Sequence, residues 1–407
     1  MGMIMGWRVV QMGAKSLLKR WKNRRLLLLL FLPMLVVNAG CKTSPWVLWN
    51  GYTAHFLDDQ GRVIDPRIAD RTTSEGQAYS LFFALVGNDR EDFDRILNWT
   101  QANMAKGDLQ NHLPGWLWGK NKDGVWTILD TNSAADADVW MAYTLVEAGR
   151  LWNAQVYSNL GRKMMNQIAE REVVDLPGFG LMLLPGPVGY QHDSPQTVRS
   201  WTLNPSYLPL FLFERMASID PVGPWQHIAL GIPRLLQQSS VHGYPMDWVE
   251  YLPGDGFFPA PQQPGKDAQP PLGSYDAIRV YLWAGMVSPQ DRQRKELLSA
   301  IPAMSSYLAD HDAPPEKISN LGIPQAQDGP VGFSAAVLPY LRTFSNRQRA
   351  GAKQSVRLST MKDSSSGLYG RDKAYYDQNL VLFGTGFLDG RFRFGPGGEL
   401  NVEWTRA

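Results

Sequence analysis

Eleven stretches of this 407-residue chain repeat their apolar residues at helical spacing, whereas alternating strand patterns are few. They fall at 74–86, 91–105, 136–151, 157–170, 204–216, 224–238, 274–286, 288–309, 332–345, 348–359 and 372–387. Helices of this modest length each carry an apolar stripe that other helices must cover. A solenoid or a closed ring of helical hairpins would do so, and no fixed repeat supports the solenoid. The expected fold is therefore all-α, a ring of hairpins joined by long loops rich in Gly, Pro and Trp. No Ser/Gly linker divides residues 45–407, and the proline-rich segment 253–273 reads as a surface loop. A single domain over 41–407 follows.

Residues 1–40 differ from the rest. Seven basic residues, from Arg8 to Arg25, precede an apolar run from Leu26 to Val37 that ends at Asn38-Ala39-Gly40-Cys41. The run is short for a bilayer crossing, which needs about 20 apolar residues, so it reads as an export signal. Cys41 is the one cysteine, and Ala39-Gly40-Cys41 resembles the end of a lipoprotein signal, although Asn38 stands where Leu is usual. Lipidation of Cys41 and cleavage between Ala39 and Gly40 both remain open, and membrane contact is expected only through this signal or a lipid. The expected location is periplasmic or secreted, with an outer-membrane lipoprotein as the variant. Without residues 1–40 the chain keeps 33 Lys+Arg against 38 Asp+Glu, a net charge of −5. That balance excludes a nucleic-acid binder and favours a neutral polymer.

Three carboxylates open helical stretches: Glu75 in SEGQAYSLFFAL, Asp136 in ADADVWMAYTL and Asp276 in SYDAIRVYLW. Glu75 shares a face with Tyr79, Phe82 and Val86. Acids at helix starts commonly serve the dipole and the cap, so Glu75 alone would prove nothing. Asp136 and Asp138 point to different sides of one helix, each beside an apolar line, and a buried unpaired charge is costly. Asp276 has Arg279 three residues on, which supports either a plain helix ion pair or a carboxylate held charged. The 15 Trp, 15 Tyr and 16 Phe give the acids significance, because aromatic planes stack on sugar rings and two carboxyls suffice to hydrolyse a glycosidic bond. Trp116 and Trp118 in GWLWGK and Trp201, Asn204 and Tyr207 in WTLNPSYLPLF are the loop candidates; filling the core is the alternative for each. The six His have no metal-binding spacing, and no nucleophile elbow, phosphate loop or spaced Cys pair is present, so neither a cofactor nor a metal is expected.

Together SEGQAYSLFFAL, ADADVWMAYTLVEAGRLW, LNPSYLPLF and GSYDAIRVYLW resemble the family 8 glycoside hydrolases, above all those that accompany bacterial cellulose synthase. Ala135 and Thr144 depart from the family signature without touching a carboxylate. The resemblance implies an (α/α)6 barrel and inverting, endo-acting hydrolysis of a β-1,4-glucan, in functional association with the synthase machinery. It implies Glu75 as general acid, Asp276 as base and Asp136 as a sugar-binding catalytic residue. Tyr207 would orient water, Arg279 would support Asp276, and Trp116, Trp118, Trp201 and Asp138 would contact the glucan. Xylan, chitosan and mixed-linkage glucan are alternative substrates, and a non-catalytic glucan-binding subunit of an export machine is the rival of another class.

Overall fold

The computed structural model describes residues 45–194, 197–261 and 270–406. The expected export signal and Cys41 lie outside the described residues. The chain runs through α1 (Val47–Phe56), then the hairpins α2 (Ser74–Val86) with α3 (Arg90–Met104), α4 (Ala135–Leu151) with α5 (Gln155–Arg171), and α6 (Leu210–Ile219) with α7 (Trp225–Ser239). It continues through α8 (Ala277–Met286) with α9 (Arg294–Ala300) and α10 (Ala303–Asp310), and α11 (Val331–Leu341) with α12 (Gln348–Thr360). Finally α13 (Tyr375–Leu388) packs against α1 from the other end of the chain, completing a sixth pair.

Sequence separates inner from outer helices. Every residue of α8 and α11, and all of α2 except Glu75, is buried, so these helices are covered on all sides. In α3, α5 and α12 only one stripe is buried, which places them outside. The axis is closed by a circuit of rings, one from each of five inner helices. Phe82 contacts Trp140 at 5.0 Å between centroids, Trp140 contacts Phe211 at 5.9 Å, and Phe211 contacts Trp283 at 6.4 Å. Trp283 then contacts Phe383 at 5.0 Å, which returns to Phe82 at 5.5 Å. The sixth inner helix, α11, fits closely between its neighbours because α8 and α13 present Gly285 and Gly384: a Cβ on either would collide with the α11 backbone. This is the expected (α/α)6 barrel.

Several local expectations are corrected. The helix α1 escaped the periodicity reading; Gly51 interrupts its pattern where a side chain would strike the Ser366 carbonyl. The stretch 288–309 is two helices, broken at Ile301-Pro302 because Pro cannot continue the hydrogen-bond ladder. Likewise 204–216 begins as a 3₁₀ turn, Pro205–Tyr207, and becomes α-helical only after Pro209. Trp118 lies on a strand rather than a loop: β1 (Thr72–Thr73), β2 (Leu117–Lys120) and β3 (Trp126–Asp130) form an antiparallel sheet. The hairpin β4 (Val173–Leu176) with β5 (Gly180–Leu183) follows α5, and β6 (Gln191–Ser194), β7 (Thr197–Leu203), β8 (Val249–Leu252) and β9 (Gly256–Pro259) form a four-stranded sheet. Thus part of the proline-rich segment is strand, not loop.

Candidate active site

Each acid arrives at the same end of the barrel because the inner helices begin there. β1 feeds directly into α2: Thr73 Oγ1 accepts the Gly76 N–H at 3.1 Å, and the Ser74 N–H donates to the Trp116 carbonyl at 3.0 Å. Glu75 therefore projects from the first turn of α2 next to the Trp116 backbone. Asp136 sits in the first turn of α4 and turns Oδ1 onto the Ala137 N–H at 2.8 Å. Asp276 occupies the N-cap position of α8 without capping it. That function falls to the buried Asp247, whose carboxylate accepts the Ser274 N–H at 2.7 Å and the Ala277 N–H at 2.9 Å. Asp276 is thereby left free to face the site.

One guanidinium gathers all three acids. Arg279 is 2% exposed; its Nη1 pairs with Glu75 and, at 3.1 Å, with Asp136 Oδ2, and its Nη2 pairs with Asp276 Oδ1 at 2.7 Å. Nη1 also approaches Tyr79 Oη and Nη2 approaches Ser206 Oγ, each at 3.0 Å, while Nε has no partner among the described residues. Ser206 is itself held because Asn204 Oδ1 accepts both its N–H and its hydroxyl, the latter at 2.7 Å. Tyr207, half-buried on the same turn, lies with its ring 5.7 Å from the guanidinium carbon. One cation cannot balance three carboxylates in a desolvated pocket, so a proton must be retained. Burial pushes Glu75 up to about 7, with Asp136 and Asp276 adding to the rise and Arg279 opposing it. Asp136 is also raised, chiefly by burial against the pull of Arg279. Glu75 and Asp276 keep 20% and 29% of their side-chain surface open, so solvent reaches both.

The remaining sequence candidates diverge. Trp116 is 37% exposed and its backbone adjoins the start of α2, leaving its indole available at the rim. Trp118 is half-buried and stacks on Trp126 at 4.8 Å, with Arg62 4.5 Å from its ring and Trp99 against its edge. Trp126, 37% exposed on β3, is the more accessible partner and was not singled out from sequence. Trp201 corrects the stacking expectation: it is a buried core residue on β7 that packs on Tyr251 and donates to Gln191 Oε1, so no sugar can reach its face. Asp138 also departs from expectation. It is fully buried, turned away from Arg279, and faces Glu172 instead. Tyr79, Ser206 and Asp247 belong to the site and were missed as members. Asn204-Pro205 is a turn signal that could have marked Ser206, but Asp247 carries no local signal.

The chain matches Glycosyl hydrolases family 8 over residues 22–390. It is 42% identical over 381 residues to an endoglucanase of Escherichia coli O157:H7, covering 93% of this chain and 96% of that protein. It is 40% identical to an endoglucanase of Xanthomonas axonopodis pv. citri over 92% and 93% of the two chains. Among solved structures, endo-1,4-D-glucanase from Vibrio fischeri ES114 superposes with a TM-score of 0.78 at 37% identity, covering 88% of this chain and 99% of that one. With a barrel of paired helices, three carboxyls on one buried arginine and this likeness over nearly its whole length, the chain belongs to family 8 of the glycosyl hydrolases and is a glycoside hydrolase.

Proposed function

We propose that this hydrolase cleaves internal β-1,4-glucosidic bonds of cellulose or a related glucan with inversion, using Glu75 as acid and Asp276 as base. The observation that carries the reading is Arg279, which joins both carboxyls to one guanidinium although Glu75 lies 204 residues before it in the chain. Glu75, raised to about 7, retains a proton for the glycosidic oxygen at neutral pH. As the bond between C1 and that oxygen breaks, Asp276 removes a proton from a water molecule attacking C1 on the opposite face. The β-linkage thus yields an α-hemiacetal, and exchange with solvent resets both carboxyls. Asp136, fixed by Arg279 and the Ala137 N–H, holds a sugar hydroxyl at the cleavage point. Trp116 supplies a flat apolar face beside the acid. The endoglucanase names of the relatives support a β-1,4-glucan as substrate.

Glu75→Gln and Asp276→Asn are each expected to abolish release of reducing ends from a soluble β-1,4-glucan while circular dichroism stays unchanged. Near-normal turnover in either would remove the assignment, and glucan binding without cleavage by the unaltered protein would favour the non-catalytic subunit. NMR of the first-formed anomer should show α; initial β product contradicts inversion. The N-terminal sequence and the resemblance to members that accompany cellulose synthase support export and work beside that machinery. Mass spectrometry of the mature N-terminus and co-purification with the synthase test these two points, an intact leader or no association counting against them.

A further inference from the structure

We propose that Asp138 and Glu172 form a positioning pair for Asp136: they share one proton in the working enzyme, and that shared proton holds the turn that aims Asp136 at Arg279. Both residues are fully buried. Asp138 stands on α4 two residues beyond Asp136, and Glu172 terminates α5 at its C-cap. Their carboxyls are hydrogen-bonding neighbours. Yet both oxygens of Asp138 and Oε2 of Glu172 receive no N–H or hydroxyl donor among the described residues. The remaining oxygen, Glu172 Oε1, accepts the hydroxyl of Ser133. Two carboxylates meeting in this way would repel; one proton between them turns repulsion into a hydrogen bond that joins one oxygen of each.

The position of the pair makes that proton matter for the reaction. α4 has no side-chain cap, since its N-cap is Ala134. Its first turn is secured by the Ala135 N–H to the Pro185 carbonyl, and by Ser133 and Asp138 converging on Glu172. Asp136 rides on that turn and must reach Arg279 Nη1. The charged or titratable groups facing the pair are Asp136 on α4, Arg171 on α5 and Tyr190 before β6. Arg171 is exposed and donates to the Asn111 carbonyl, so no cation among the described residues contacts the carboxyls. A second negative charge would therefore push Asp138 from Glu172 and disturb the turn that aims Asp136. Burial raises both acids, Glu172 to about 7 and Asp138 well above its ordinary value with the Glu172 carboxyl adding to the rise, so Asp138 is the member that keeps the proton once Glu172 has ionised.

Glu172→Gln separates the possibilities, because the amide keeps a donor toward Asp138 and an acceptor for Ser133 but cannot titrate. The kinetic arm rests on the proposed roles of Glu75 and Asp136. Because the pair keeps its proton above neutrality, log kcat of the unaltered enzyme should fall there with a slope near about one per pH unit, from loss of the Glu75 proton alone. Glu172→Gln should retain kcat within about twofold at about pH 6 and keep that slope. Glu172→Ala should lower kcat about tenfold at every pH with little change in KM. A Glu172→Ala variant with near-normal kcat, or a Glu172→Gln variant as impaired as Glu172→Ala, overturns the proposal. A thermal arm stands apart from the assigned chemistry. In the Glu75→Gln background, the melting temperature should drop between about pH 5 and pH 7.5, and adding Glu172→Gln should lessen that drop. An equal drop in both proteins overturns the shared proton whatever the kinetics show.

Discussion

Replacing Asp136 by Asn should move the alkaline limb of the pH–activity profile downward. Raising Glu75 from an ordinary 4.5 to about 7 corresponds to about 3 kcal/mol of preference for its protonated form. Asp136 contributes to that preference, since both acids contact the same Nη1 of Arg279. Their oxygens therefore lie within about 5–6 Å of one another. At that separation and an effective dielectric near about 20, their repulsion is about 3 kcal/mol. The partial exposure of Glu75 reduces this, leaving a displacement of about one to two pH units. The freed share of Arg279 Nη1 acts in the same direction, because it favours the Glu75 carboxylate. The limb should thus fall from near 7 to between about 5 and 6. The assay is kcat/KM on a soluble cello-oligosaccharide across pH, read for the shape of the profile because the rate itself will be lower. A limb that stays in place, or moves upward, refutes the charge coupling on which the acid assignment depends.

Two further outcomes follow from the geometry. Glu214 on α6 meets Asp291 without a donor for its Oε2, and burial together with Asp291 raises it to about 9. A carboxyl raised on folding stabilises while protonated, and that stabilisation is lost as pH rises from its unfolded value through the folded one. Glu214→Gln should therefore raise stability at alkaline pH by about 1–2 kcal/mol, discounted for the solvent contact Glu214 keeps. Thermal unfolding near about pH 9 should show a higher midpoint than the unaltered protein and near-equality at about pH 4, and a lower midpoint at pH 9 would contradict the pairing. Trp116→Ala should remove a stacking face worth about 1 kcal/mol, about fivefold in KM for glucan, whereas Trp201→Phe, a core change, should shift stability and leave KM alone. Steady-state kinetics and melting of the two variants distinguish these effects; a KM change confined to the Trp201 variant would reverse the assignment.

The helical periods were legible in sequence because an amphipathic or wholly apolar helix repeats its burial within a few residues. The stretch at 74–86 coincides with α2, and most of the others match observed helices to within a few residues. Acids at helix starts were visible for the same local reason, and so was the i,i+3 relation of Asp276 to Arg279. Only the closed barrel decided which of Asp136 and Asp138 faces the reaction. Both lie beside apolar lines on one helix, and the choice depends on Arg279, 143 residues from Asp136. It likewise decided that Trp201 is core, since a strand presents alternate faces and nothing local says which is covered. The chain by itself thus determined a family of paired helices with carboxyls at their beginnings. The tertiary structure brought those beginnings together around a single buried guanidinium, and the protonation of each acid follows from that, because electrostatics depends on distance in space and not along the chain.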